Sequence, residues 1–490
     1  MQFNQEALDA KMRHLDEIKS RPDVVEKVLS RNLSSDYEIT ENTRVWIGGG
    51  ATSYTVNTQQ GRFFLKIKHK DVTVESKLEE ESGFISEPCI EHEYRMVKLA
   101  EKAGTRVPRI IFFDEEEGFQ FLAVEYVENS FEETLERATI EEVLEIWQEL
   151  VDNVQRLFEE GIVHSDIHEY NIRYKNGVVL IDFEEAREFT QKCSFEESLD
   201  CIGKSGKSSL GEFPLADKQA YSVKYNSLAR MRQVIKAYLV PKALEHIKKC
   251  YYDSSNGICA ALDHGTSELT YQSIQNDWIN VKGQRDQQDF RPLLIQRLFS
   301  VLCDDSKYTF IDVGSNNGLF GRELSKASRG NVRCIGLEGF HAFNVLAKAL
   351  AFLEDCKNTE YYDFLCGEDD LSALKIEGCT FWSICSVWHH IQKREAFLSQ
   401  LKALDIQYIF MEMPVQQECY DGHSWEEEVQ KIKGQLGFAG SILLGFSKDY
   451  QRPLVLLMKG RKDMKLEKKI KRTAKRVLSP TLLDKMLALK

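Results

Sequence analysis

The sequence predicts a multidomain chain: an α+β segment, then an α/β segment built on a parallel sheet, then a basic helical tail. Three observations predict it. At 490 residues the chain is too long for one core, since domains run at roughly 100–200 residues. Residues 41–250 are strand-rich first and helical afterwards, whereas residues 268–460 alternate strand and helix throughout. The charge then changes sign. Residues 461–490 hold eleven Lys/Arg and three Asp/Glu, a net of +8, so residues 1–460 hold −21 within a total of −13. Residues 1–40 read as a polar helical extension, and 251–267, with Ser254-Ser255-Asn256-Gly257, as a linker.

Composition narrows the function classes. Hydrophobic content of 42% and charged content of 29% exclude wholesale disorder. A net charge of −13 argues against a general nucleic-acid binder. No apolar run approaches membrane-spanning length, and Met1-Gln2-Phe3-Asn4-Gln5-Glu6 lacks the apolar core of a signal peptide. Twelve cysteines without one CxxC pair read as reduced thiols, which fits a cytoplasmic protein.

In residues 41–250, Gly48-Gly49-Gly50 sits between Arg44-Val45-Trp46-Ile47 and Ser53-Tyr54-Thr55-Val56, two strands joined by a glycine loop. Glycines let backbone N–H groups approach phosphates closely. Gln60-Gly61 then turns the chain into Arg62-Phe63-Phe64-Leu65-Lys66-Ile67-Lys68, where Lys66 could reach a nucleotide's phosphates; Lys68, on the same strand face, stays open as the alternative. A helix follows, and Glu93, preferred to Glu91, could pair with that lysine. Val163-His164-Ser165-Asp166-Ile167-His168-Glu169-Tyr170-Asn171 has H-x-D-x-x-x-x-N spacing. Eleven residues later comes Asp182, and Asn176-Gly177 between them predicts a hairpin that brings Asn171 and Asp182 together. Phosphoryl transfer needs a metal on the phosphate oxygens and a carboxylate for the attacking hydroxyl. Asn171 and Asp182 fit the metal role and Asp166 the base role. Gly203-Lys204-Ser205-Gly206-Lys207-Ser208 only mimics a phosphate loop, because Cys201 stands where that motif needs glycine.

Residues 44–190 thus resemble the protein-kinase-like superfamily, nearest to RIO kinases, lipopolysaccharide-core sugar kinases and aminoglycoside or choline phosphotransferases. The resemblance implies a bilobal fold, ATP and Mg²⁺ as cofactors, and Glu125 and Val127 among the nucleotide-binding residues. It departs at Glu184, which replaces the glycine after Asp182-Phe183, and no A-P-E segment follows.

In residues 268–460, Tyr308-Thr309-Phe310-Ile311-Asp312-Val313 is an apolar strand running into Gly314-Ser315-Asn316-Asn317-Gly318 and a helix. Glu338 ends the next strand twenty residues after Gly318, the separation at which an acid grips a ribose diol. Gly314 and Gly318 stand four apart, which leaves no G-x-G slot for a pyrophosphate. This pattern resembles class I S-adenosylmethionine (SAM) methyltransferases, a Rossmann-like fold. Asp312, Gly314, Asn316, Gly318, Glu338, Asp363 and Phe364 are then the expected cofactor residues. His389 and His390, after the fourth strand, are candidate bases, with side chains expected to diverge. Tyr271-Gln272-Ser273, Gln284-Arg285 and Arg291-Pro292 look like a cap over the cleft, with Arg285 and Arg291 as candidate phosphate holders.

Together the two segments resemble the bifunctional methyltransferase/kinase that terminates bacterial O-antigen polysaccharides, with the domain order reversed. The resemblance implies phosphorylation of a terminal sugar hydroxyl and methylation of the same acceptor, the added phosphate being one target. Alternatives are a small metabolite or another macromolecule as acceptor, or a chain in which one domain only binds. Leu466, Ile470, Val477 and Leu478 recur near helical spacing among seven cations, and Ser479-Pro480 opens a second short helix. Residues 461–490 are therefore expected to dock on a partner protein or lie peripherally on the inner face of the cell membrane.

Overall fold

The computed structural model describes residues 17, 20–33, 36–41, 52–69, 89–184, 186–188, 190–191, 195, 211–212, 227–250, 270–285, 289–303, 307–376, 378–415, 424–448, 451–460 and 464–478. Gly48, Gly49 and Gly50, the 251–267 linker, the run at 203–208 and the helix expected after Ser479 lie outside them. The chain divides into two compact units, Met1–Tyr238 and Leu239–Lys490.

In the first unit, helix α1 (Pro22–Asn32) opens on a proline and buries Val24, Val25, Val28 and Leu29. That stripe covers a five-stranded antiparallel sheet through Val56, Phe63, Leu65, Ile67 and Phe121. The strands are β1 (Tyr37–Glu41), β2 (Thr52–Thr58), β3 (Gly61–His69), β4 (Ile110–Glu116) and β5 (Phe119–Glu125), in the order β1-β2-β3-β5-β4. The expected extension is therefore corrected. Helix α1 packs its apolar stripe on the sheet and β1 pairs with β2, so both belong to this sheet layer. Helix α2 (Ile90–Lys102) sends Glu93, Met96, Val97 and Ala100 inward. Helix α3 (Ile140–Glu159) starts at a capping box between Thr139 and Glu142. Its buried Asn153 donates to Val178 O at 3.1 Å and accepts from the Arg106 N–H at 3.3 Å. The predicted hairpin is present: β6 (Ile172–Tyr174) pairs with β7 (Val178–Leu180) across Asn176-Gly177. The φ of Gly177 is 137°, and a Cβ there would strike the Arg106 guanidinium. Helix α4 (Ser227–Ile247) crosses the division between units, which lies ahead of the expected 250. The later part of this stretch belongs to the second unit, where His246 Nε2 donates to Ala342 O at 2.8 Å.

The second unit holds a seven-stranded, doubly wound sheet. Its strands are β8 (Tyr308–Val313), β9 (Arg333–Glu338), β10 (Thr359–Asp363), β11 (Cys379–Cys385), β12 (Ile406–Glu412), β13 (Gly440–Phe446) and β14 (Pro453–Met458). The order is β10-β9-β8-β11-β12-β14-β13, with the first five parallel and the last two antiparallel. Apolar clusters cover both faces, as parallel strands require. Helix α5 (Arg291–Leu302), helix α6 (Leu319–Ala327) and helix α7 (His341–Leu353) supply part of that cover. The tail needs a second correction. Helix α8 (Met464–Val477) buries Ile470, Ala474 and Val477 in the cluster formed by Phe299, Ile442 and Leu456. The apolar stripe read as a membrane or partner face is covered by its own domain. Among the described residues no helix is long and apolar enough to cross a membrane.

Candidate functional sites

Strand β3 and helix α2 set the first site. Lys66 Nζ donates to both carboxylate oxygens of Glu93 at 3.0 Å and forms an ion pair with Asp182. Of the two candidate lysines, Lys66 is the one that pairs with Glu93. Likewise Glu93 is buried against it, while Glu91 is exposed and uses its backbone N–H on Gln120. Glu184 Oε2 stands 3.9 Å from the same ammonium. Burial works against the Lys66 charge, but Asp182, Glu93 and Glu184 outweigh it and hold its pKa well above the usual value. Burial lifts the Glu93 carboxyl to about 7, against the pull of Lys66. Burial also opposes ionisation of Asp182, yet Lys66 keeps it below the ordinary range.

The H-x-D-x-x-x-x-N loop closes on itself. His164 is buried, donates to Ile181 O at 3.0 Å, and packs 4.5 Å from the Phe183 ring. Burial lowers its pKa, so the neutral ring is a structural bracket. Asn171 Nδ2 donates to Asp166 O and Oδ2, both at 3.0 Å, and His168 Nε2 lies 3.3 Å from the same Oδ2. The hairpin returns the chain so that the Ile181 N–H donates to Asn171 O at 3.0 Å, which puts Asp182 beside the loop. Ser165 (φ 68°) and Asp182 (φ 66°) adopt left-handed backbone, a conformation uncommon for residues other than glycine and concentrated at functional sites. Carboxylate and amide oxygens are hard donors of the kind Mg²⁺ takes. With its Nδ2 spent on Asp166, Asn171 keeps Oδ1 as a donor of that kind, and one oxygen from each of Asp182, Glu93 and Glu184 lies within 4.8 Å of the others, a set whose chemistry suits such an ion. Glu125 ends β5, donates its N–H to Arg109 O at 2.8 Å, and pairs its carboxylate with Lys175. Val127 is buried just beyond it.

The second site stands at the carboxyl ends of β8, β9 and β11. Gly314 and Ser315 donate to Leu337 O at 2.8 and 3.1 Å, which folds the turn over the end of β9. Gly314 (φ 68°) and Gly318 (φ 76°) are both left-handed; a Cβ on Gly318 would lie 2.5 Å from the Tyr361 ring. Glu338 is buried and accepts N–H bonds from Asn316 at 2.7 Å and Phe340 at 3.1 Å. Burial raises its pKa, partly offset by those bonds. Asp312 is also buried, and desolvation lifts it to about 8 against a hydrogen bond from Ser383. Asp363 accepts from His341 Nδ1 and from Asn344 Nδ2, both at 2.8 Å. Phe364 is buried, and its N–H donates to Glu338 O at 2.8 Å. Buried Ser315 Oγ, Asn316 Oδ1 and Asn344 Oδ1 have no hydrogen-bond partner within the protein. Ser315 and Asn316 lie in the turn and Asn344 beside Asp363, and such oxygens fit a polar cofactor such as SAM.

Two expectations fail here. His389 and His390 do not diverge: a short 3₁₀ turn at Trp388–His390 brings their ring centroids to 4.0 Å, with the planes tilted by 41°. Arg285 and Arg291 are not phosphate holders, because both are buried and committed to acids. Arg291 binds Asp289 and donates to Glu412 Oε2 at 2.6 Å, while Arg285 reaches Ser386 Oγ at 2.8 Å and Glu412 Oε1 at 3.5 Å. Burial opposes ionisation of Glu412, but Arg291 and Arg285 hold its carboxyl down to about 2. Sequence reading missed Glu412 and Ser386; the signal was an acid closing the apolar run Ile409-Phe410-Met411.

Comparison with known proteins bears on these two sites. The chain is similar to the KEOPS complex subunit Bud32 of Pyrococcus abyssi (strain GE5 / Orsay), at 32% identity over 93 residues, 19% of this chain and 41% of that protein. Among solved structures it is similar to the bifunctional kinase-methyltransferase WbdD, at 20% identity and TM-score 0.29 over 37% of this chain and 42% of that one. It is also similar to a SAM-dependent methyltransferase from Aquifex aeolicus, at 18% identity and TM-score 0.28 over 35% of this chain and 92% of that one. The chain spans about two fifths of the length of Bud32 and of WbdD. The family model described as the RIO domain matches residues 59–198, the segment that carries Lys66, Glu93, Asp166, Asn171 and Asp182, so this segment is similar to RIO kinase domains.

Proposed function

We propose that the chain is a bifunctional transferase. It moves a phosphoryl group from ATP to a hydroxyl acceptor and a methyl group from SAM to the same acceptor. The observation that carries the first activity is the meeting of Lys66, Glu93 and Asp182 beside the Asp166–Asn171 pair. Lys66, fixed by Glu93, supplies a positive charge where nucleotide phosphates would lie, and Asp166 is oriented by Asn171 to take the hydroxyl proton. Mg²⁺, bound by Asn171 and Asp182, would offset charge on the phosphate oxygens. In the second unit, Glu338 would receive the ribose hydroxyls, and the Gly314–Gly318 turn would let SAM approach the backbone. SAM supplies an electrophilic methyl group; the protein aligns the acceptor oxygen with it. Reliance on ATP and SAM as donors supports a cytoplasmic location for the reaction.

The acceptor is proposed to be the terminal sugar of a surface glycan, a reading supported by the pairing of these two domains in one chain. If the phosphate is the methylated group, it already carries about −1.5 to −2 charges and needs no base. The test is labelling of a panel of glycan and small-molecule acceptors with radioactive ATP and SAM. Methyl incorporation should require ATP, vanish in Asp182→Ala, and return when that variant receives pre-phosphorylated acceptor. Full-rate methylation of unphosphorylated acceptor without ATP would overturn the ordered reading, and no transfer to any sugar would overturn the glycan.

A further inference from the structure

Helix α8 carries an unusual distribution of charge once its packing is known. Ile470, Ala474 and Val477 point into the domain. Lys465, Lys468, Lys469, Lys471, Arg472, Lys475 and Arg476 are all exposed. At 3.6 residues per turn these seven cations fan over an arc of about 160°, opposite the buried stripe, along a helix about 21 Å long. Its one acid, Glu467, is paired with Lys471 at 2.7 Å. A strongly positive strip thus lies on a chain whose net charge is −13.

We propose that this outward face is an electrostatic docking surface for an anionic lipid bilayer, engaged by charge alone and without insertion of the helix. Insertion would need an apolar face, and that face is already spent inside the domain. A broad, convex strip of cations suits a plane of headgroups rather than a groove. Five of the seven cations are lysines, compact hydrated charges that favour diffuse attraction over the forked contacts arginine makes with individual phosphates. The helix contains no Asn or Gln with which to read a base edge, which sets nucleic acid aside.

Charge-only binding has a distinctive signature. Each cation near an anionic surface adds roughly a fivefold gain in partitioning, and salt screens it over about 8–10 Å. The experiment is co-sedimentation of the full chain with vesicles of phosphatidylcholine alone or mixed with phosphatidylserine. Binding should require phosphatidylserine and be reversed by high salt. The quadruple variant Lys468→Gln/Lys469→Gln/Arg472→Gln/Lys475→Gln should lose binding by about 10²–10³-fold. Because all four positions are exposed, thermal unfolding should match the parent. Equal binding to phosphatidylcholine vesicles, salt-resistant binding, or full binding by the quadruple variant would each overturn the proposal. Duplex DNA that strips the protein from vesicles at equimolar phosphate would assign the strip to nucleic acid instead.

Discussion

Asn171 holds Asp166 twice, with its Nδ2 donating at 3.0 Å both to the backbone oxygen and to carboxylate Oδ2. His168 engages the same Oδ2 at 3.3 Å, so Oδ1 is the oxygen left to accept a proton from an attacking hydroxyl. Asp166→Asn should lower ATP-dependent phosphorylation by about 10²–10⁴-fold. Nucleotide binding, read as a thermal shift, should stay near wild type. Asn171→Ala should lose both, since it removes an expected metal donor as well as the orientation of Asp166. Wild-type phosphorylation by Asp166→Asn would show that this loop is not the reacting centre.

Lys66 stands among three carboxylates, Glu93, Asp182 and Glu184, so removing it changes more than nucleotide binding. In Lys66→Met, Glu93 and Asp182 would lose the ammonium that both of them bind. Breaking a buried pair this way costs about 3–5 kcal/mol. The stranded carboxyls should take up protons, raising their folded-state pKa above the unfolded value. A raised pKa favours the folded state at low pH and loses that advantage as pH rises through it. Thermal melts of the variant should therefore fall more steeply than wild type between pH 5 and about 8. Adding Glu93→Gln should recover part of the stability and none of the phosphorylation.

Asp312 gives a cleaner pH effect, because burial lifts its carboxyl to about 8 while the unfolded chain titrates near 3.8. Between those values the folded state holds a proton that the unfolded state has lost. Stability from this group is complete below about pH 4 and declines as pH rises toward 8. Asp312→Asn should flatten that slope and stabilise the second unit by a few kcal/mol near pH 8, at about 1.4 kcal/mol per unit. A melt-versus-pH series showing the wild-type slope in the variant would count against a buried, neutral Asp312.

The legible parts of this protein were those with short, directional signals. Asp166, Asn171 and Asp182 lie in spacings that a local hairpin converts into proximity, so their meeting could be read from the chain; Lys66 reaches Asp182 from 116 residues away, a contact no local spacing fixes. The turn from Gly314 to Gly318 was readable for the same reason. Contacts made across the fold were not. Nothing near Glu184 or His168 announces which charge each will meet. The stripe on α8 declared an apolar face, but periodicity does not say what covers it, and the covering side chains, Phe299 and Ile442, are far away in sequence. Two arginines in a cap looked available until Glu412, more than a hundred residues later, was found between them.

Gly318 links fold to cofactor in one residue. Its φ is 76°, and a Cβ there would meet the Tyr361 ring at 2.5 Å. Gly318→Ala combines left-handed strain of about 1–3 kcal/mol with that collision. The turn should shift, so SAM affinity measured by calorimetry should fall along with the melting temperature. Glu338→Gln makes a useful contrast, since it keeps the shape while weakening acceptance of the Asn316 and Phe340 N–H bonds. It should weaken SAM binding with a smaller loss of stability.

The pair Arg291–Glu412 should behave as a buried ion pair whose partners are unequal. Glu412 is fully buried and also accepts from Ser386 Oγ, so Arg291→Met strands a carboxylate held near 2 by its arginines. Arg285, at 3.5 Å, can offset only part of that loss. The expected cost is about 3–5 kcal/mol. Glu412→Gln should cost less, because Asp289 still neutralises Arg291 from the other side at 2.5 Å. The double variant Arg291→Met/Glu412→Gln should lie above Arg291→Met alone in denaturant melts, since the stranded charge is gone. Equal losses from the two single variants, adding fully in the double, would show that the arginine and the acid do not act as a pair.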